Sequence, residues 1–190
     1  MGNSDATKRR ILDAATAEFA RSGLAGARID RIAAAAQANK ALLYAYFGNK
    51  EQLFSAVLQD SLRAIVDAVP IDGENLPGYA VRLYDDYLAH PVVVKLAVWT
   101  RLERAPSGGL GPEIGTLDEA KFASIASAQA KGLVDPGIPP AHLFSLVIAL
   151  SLTWSPVSTT IAAAPDDPES EHEERRRLIR LAVGRLVAPG

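Results

Sequence analysis

The sequence predicts an all-α protein of about nine helices. Two observations carry this expectation. Apolar residues recur at the i, i+3, i+4, i+7 spacing of amphipathic helices along most of the chain. The breaks between these stripes fall at glycine, proline and Asn/Asp clusters, the residues that interrupt regular structure. No segment reads as a convincing strand.

Ser4 or Asp5 can cap the first helix, whose Ile11, Ala15 and Phe19 stack at i, i+4 and i+8. Gly23 followed by Leu24 reads as its stop: a left-handed glycine, then an apolar residue that folds back on the last turn. Ile29, Ile32, Ala33 and Ala36 form the next stripe, which Gln37 and Ala38 interrupt. Asn39 suits the N-cap of a third helix, in which Leu43 and Phe47 point inward at i and i+4. Lys40, Ala41, Leu42, Tyr44 and Ala45 are then left mainly facing out. A short helix exposing a Lys, a Tyr and small side chains can enter a DNA major groove, which is wide enough for one helix. The pair of helices and its tight turn read as a helix-turn-helix.

Asn49 and Gln52 make a variant capping box, opening a helix of about residues 50–69 that runs through Leu53, Phe54, Val57, Leu58, Leu62 and Ile65. A loop at 72–75, a helix at 77–90, a break at Pro91 and a helix at 92–104 follow. Residues 106–112 read as a flexible connection before a helix at about 113–131. The stretch 140–163 is apolar nearly all round, which predicts a helix buried on more than one side, kinked or interrupted at Pro156. Pro168 suits the first turn of a last helix reaching about Val187, with Leu178, Leu181, Ala182, Val183 and Leu186 on a broad apolar face. Glu171–Arg175 and Glu173–Arg177 are i,i+4 pairs, so the charge run there predicts a solvated face.

The 190 residues include no cysteine, which excludes disulfides and thiolate chemistry and fits a reducing compartment. No run of 18 apolar residues suggests a membrane span, and the N-terminus lacks the apolar stretch of a signal peptide. A cytoplasmic protein is expected. The net charge of −2 is unevenly distributed. Residues 1–50 hold eight Lys/Arg against four Asp/Glu, whereas residues 51–190 hold twelve against eighteen. The basic excess therefore coincides with the helix-turn-helix, as a phosphate-facing surface requires.

The run Leu43-Tyr44-Ala45-Tyr46-Phe47-Gly48-Asn49-Lys50-Glu51-Gln52-Leu53-Phe54, with Ile32-Ala33 before it, resembles the N-terminal domain of TetR-type bacterial repressors. The likeness spans about residues 5–60 without gaps. Three positions depart from the usual pattern. Gln37 stands where relatives have a turn glycine, Ala27-Arg28 where they have a capping Thr or Ser, and Ala45 where many have His.

This resemblance implies a DNA-binding domain at residues 1–50 and an all-helical ligand-binding and dimerisation domain at 51–190. It implies operator contacts from Arg28, Asn39, Lys40, Ala41, Leu42, Tyr44, Tyr46 and Lys50, with Lys50 on phosphate at a helix N-terminus. It further implies a homodimer through the last two helices. The sequence alone leaves open that these helices only complete a monomer core. A small-molecule effector is expected in the second domain, with Tyr84, Tyr87, Trp99, Phe122 and Trp154 as candidate wall residues.

No cofactor, metal or catalytic residue is expected. His90, His142 and His172 lie far apart in the chain, and Asp85-Asp86 point about 100° from one another on a helix. The expected function is a ligand-released repressor binding a palindromic operator. A relative with degenerate DNA binding that acts through a protein partner is the alternative, and a small helical enzyme a more distant one.

Overall fold

The structure is a computed structural model and describes residues 3–104, 107–108 and 112–189. Of the expected 106–112 connection, residues 106 and 109–111 lie outside the described residues. Among the described residues there are nine α-helices, one 3-10 turn at Gly73–Asn75 and no strand. The helices are α1 (Asn3–Gly26), α2 (Ile29–Ala35), α3 (Lys40–Phe47), α4 (Lys50–Ala68), α5 (Leu76–Ala89), α6 (Val92–Glu103), α7 (Pro112–Ala130), α8 (Pro140–Ser151) and α9 (Glu169–Val187). They divide into two compact units, Met1–Ala64 with Lys95–Leu110 and Ile65–Val94 with Gly111–Gly190.

The first unit is built on the stripes legible in the sequence. Ile11, Ala15 and Phe19 of α1, Ile32 of α2, Leu43 of α3, and Leu53, Phe54 and Val57 of α4 are fully excluded from solvent. Phe19 and Phe54 meet edge to face with ring centres 5.0 Å apart, the arrangement their quadrupoles favour. Gly23 adopts the expected left-handed φ of 66° and breaks the helix there, and one further turn follows to Gly26. A Cβ on Gly23 would lie 2.7 Å from a Glu103 carboxylate oxygen and 2.8 Å from the Trp99 ring, so glycine is required by space as well as by φ.

In the second unit, α5 packs against α8 and α9. Leu76, Ala80, Leu83 and Tyr84 of α5 bury with Leu143 and Val147 of α8 and with Ile179 and Val183 of α9. Two expectations need correction here. The apolar stretch 140–163 is helical only to Ser151. Ser151 Oγ donates back to the Val147 carbonyl at 2.8 Å, the following residues fold into turns, and Pro156 supplies no N–H to resume a helix. Nor is α8 covered all round within this chain, because His142, Ser145, Leu146 and Ala149 are exposed on one side.

The charge run of α9 is also not uniformly solvated. Arg175 is buried, holding Asp167 at 2.6 Å and Glu171 at 3.0 Å. Arg177 is exposed, but it pairs with Glu174 at 2.7 Å one step closer in sequence than expected. Buried Arg175 thus ties the irregular segment before α9 to the helix itself.

Candidate nucleic-acid interface and effector cavity

Helix α3, the second helix of the helix-turn-helix, is held by both of its ends. At its start, Asn39 Oδ1 accepts the Leu42 N–H at 2.8 Å, satisfying one orphan donor of the first turn. At its end, Gly48 adopts φ 76°, and a Cβ there would sit 1.9 Å from Gln52 Oε1. That oxygen accepts the Asn49 N–H at 3.0 Å while Asn49 Oδ1 accepts the Gln52 N–H at 2.8 Å, the reciprocal pair of a capping box. Leu43 and Phe47 anchor α3 inward. Lys40, Ala41, Tyr44 and Ala45 are exposed and Leu42 half-buried, which leaves one continuous outer face.

Several candidate DNA contacts have partners that restrict them. Lys40 Nζ lies 2.7 Å from Asp30 of α2, and this ion-paired hydrogen bond holds the ammonium above its usual range. Lys50 Nζ donates to the Ala25 carbonyl at 3.1 Å, fixing the side chain across the end of α1. The Tyr46 hydroxyl is 3.0 Å from Ser4 Oγ, and its ring leans edge-on against Phe47, so Tyr46 braces α3 against α1. Tyr44 is 44% exposed, Asn39 and Arg28 are exposed, and Arg28 forms the extended N-cap of α2 without a side-chain cap bond.

Of two further contributors, Gln37 was legible in the sequence and Glu18 was not. Gln37 holds the turn at φ 51°, the left-handed backbone for which glycine is usual. Glu18 is buried on the core side of α1 and accepts the Arg28 backbone N–H at 3.0 Å. It also bonds Arg21 and lies 3.7 Å from the Arg31 guanidinium. Burial pushes its carboxyl up, but the Arg28 N–H and the arginines outweigh this and hold it below the usual value. The signal for it was present: an acid three residues after Ala15, on the apolar stripe itself.

The second unit contains a cavity of about 80 Å³ lined by Tyr84, Tyr87, Leu88, Pro91, Ser151, Trp154, Ser155, Pro156, Ala163 and Pro165. Of the five candidate ligand residues it brings together Tyr84, Tyr87 and Trp154, with the Tyr84 and Trp154 rings edge to face at 6.4 Å. Phe122 pairs with Phe144 at 5.9 Å away from this lining. Trp99 belongs to the other unit, beside Gly23.

Among the described residues no group of His, Cys, Asp and Glu could hold a metal ion, and no helix is long and apolar enough to cross a membrane.

Residues 11–57 match the family described as bacterial regulatory proteins, tetR family, and residues 75–185 match the tetracyclin repressor-like C-terminal domain. The chain belongs to the TetR family. Its helix-turn-helix and the all-helical fold, nine helices in all among the described residues, are those of the family's transcriptional regulators. It is 41% identical over 155 residues to the HTH-type transcriptional repressor SCO4008 of Streptomyces coelicolor, covering 80% of each chain. It is 27% identical over 130 residues to HdnoR, a nicotine-responsive transcriptional repressor of Paenarthrobacter nicotinovorans, covering 67% of each. Among solved structures, that of SCO4942 from Streptomyces coelicolor matches with a TM-score of 0.79 and 36% identity, covering 95% of this chain and 98% of the other.

Proposed function

We propose that this TetR-family regulator is a homodimeric repressor that grips a palindromic operator and is released by a small molecule. Residues 1–50 supply the DNA-reading head; residues 51–190 supply the effector site and the dimer face. The observation that carries the reading is the outer face of α3, where Lys40, Ala41, Tyr44 and Ala45 stand clear while Leu43 and Phe47 anchor the helix. Arg28, Asn39 and Lys50 flank that face as phosphate partners, with Lys50 at the N-terminus of α4 where backbone N–H groups favour the same anion. Tyr44 and Leu42 provide apolar contact of the kind thymine methyls accept. Tyr46, through Ser4 and Phe47, sets the pitch of the helix.

Effector binding in the cavity lined by Tyr84, Tyr87 and Trp154 favours a state with lower operator affinity, and only a difference in ligand affinity between the two states can drive that shift. Support for a small-molecule input comes from HdnoR, whose name records such a response. A dimer is supported by the leucines left exposed on α8 and α9.

The test is selection of genomic fragments by the full chain at two salt concentrations, with Tyr44→Ala and Lys50→Ala alongside. A palindromic site whose affinity falls steeply with salt, and falls further in both variants, is the expected result. No enriched sequence, with variants behaving as wild type, would instead favour action through a protein partner.

A further inference from the structure

Taking the cavity of the second unit as the effector site, we infer that its ligand is a small uncharged ring compound bearing a polar atom that bonds the Ser155 hydroxyl. Size comes first. Each water needs roughly 10–15 Å³ of such space, so a cavity of about 80 Å³ has the capacity of a single ring rather than of a long acyl chain or a nucleotide conjugate. The walls then select an aromatic or alicyclic ring. Tyr84 and Trp154 meet at 82° and form a corner, and Pro91 and Leu88 continue the apolar surface.

Charge is excluded by the same walls. None of the lining residues is Asp, Glu, Lys, Arg or His. The two phenols stay neutral across the physiological range: burial pushes Tyr84 up against the opposing pull of Arg175, and burial pushes Tyr87 higher still. An ion entering here would lose its hydration without a counter-charge. Arg175, behind the Tyr84 hydroxyl, is already paired with Asp167 at 2.6 Å and Glu171 at 3.0 Å, so it offers an anion no free charge.

The polar requirement follows from which hydroxyls are already engaged. Tyr84 OH is bonded to His172 Nδ1 at 2.7 Å, and Ser151 Oγ donates to the Val147 carbonyl at 2.8 Å. Ser155 is only 5% exposed and contributes to the cavity wall; its Oγ is closed off and has no hydrogen-bond partner among the described residues, so a χ1 rotation toward the cavity breaks no bond and presents it to a ligand. A buried hydroxyl in that state gains from any ligand atom able to donate or accept.

Four single-ring probes test this on the full chain: phenol, its isostere toluene, and the slightly larger ions benzoate and benzylammonium, with benzyl alcohol as their neutral size control, followed by tryptophan fluorescence and calorimetry at neutral pH. Phenol should bind at least tenfold more tightly than either ion. Ser155→Ala should weaken phenol by about 3- to 10-fold, the range of one neutral hydrogen bond, and leave toluene unchanged. Leu88→Trp, which fills the cavity, should abolish both. Equal or tighter binding of benzoate or benzylammonium, an unaltered phenol affinity in Ser155→Ala, or no binding of any probe would each overturn the ligand class. The effector reading is judged separately by adding phenol to the complex with the selected DNA. Saturable phenol binding that leaves this complex intact would overturn the effector role while the ligand class stands.

Discussion

The Glu18 carboxylate accepts the backbone N–H of Arg28 at 3.0 Å and so braces the start of α2 from a neighbouring helix. Arg28, the N-cap residue, has no side-chain oxygen for the N–H groups of the first turn, and the Ser or Thr usual in the family is missing. The buried acid on α1 instead holds the N-cap residue's own N–H, and it gathers Arg21 and Arg31 toward the start of α2.

Glu18→Gln should destabilise the chain by about 1.5–3 kcal/mol at neutral pH, the scale of a hydrogen bond to a charged group, and weaken DNA binding in parallel. The pH dependence has a definite sign. The folded-state value is depressed, so the contribution is fully present above the unfolded glutamate value of about 4.3 and is lost as pH falls through the lower folded value. Urea titrations at pH 7 and pH 3 should show the gap between wild type and variant closing in acid. A gap that persists at pH 3 would mean the carboxylate charge is not what matters.

The Lys40–Asp30 pair makes a second prediction. Asp30 places a negative charge beside the recognition helix and competes with phosphate for the ammonium 2.7 Å away. Asp30→Asn should raise affinity for DNA several-fold at low salt and steepen the dependence of log affinity on log salt by about 0.9 for one added phosphate contact. The gain should extend to unrelated sequences, because phosphate contacts carry no base information. An affinity gain confined to the operator would assign Lys40 to a base edge.

Gln37 offers a test of stored backbone strain. Replacing it with glycine relieves about 1 kcal/mol at φ 51° and costs roughly 0.5 kcal/mol in unfolded-chain freedom, for a net gain of about 0.5 kcal/mol. Chemical denaturation resolves that difference. A loss of stability on Gln37→Gly would show that the side chain makes a contact worth more than its strain.

Much of the first unit was legible because its signals are local. Helical stripes, the Asn39 cap, the Asn49/Gln52 capping box and the turn at Gln37 all lie within a few residues of what they determine. The element boundaries in the second unit were less so. Residues 140–163 are apolar enough for one long helix, and only the run of turns after Ser151, where side chain and Pro156 compete with helical bonding, decides that it stops. The candidate ligand residues divide for the same reason. Tyr84 on α5 and Trp154 beyond α8 converge through packing between elements 70 residues apart, which periodicity does not report. Trp99 is as apolar as Trp154, yet it packs beside Gly23 in the other unit.

The exposed leucines of the last two helices carry the final prediction. Leu146 on α8 is 44% exposed, and Leu178 and Leu181 on α9 are 36% and 39% exposed. Leu178 and Leu181 are one turn apart on one side of α9, opposite the buried Ile179 and Val183. In a monomer, Leu178→Glu with Leu181→Glu would be nearly neutral, since both side chains already meet water. In a dimer closed through this face, two-fold symmetry would bury four new carboxylates without counter-charges, a cost of several kcal/mol that dissociates the pair. Sedimentation should then give twice the chain mass for wild type and the single chain mass for the variant, with matching helical circular dichroism. Operator affinity should fall by roughly 10²-fold or more, because each head would bind without the effective concentration that its tethered partner provides. A variant that sediments like wild type would move the dimer face away from α9.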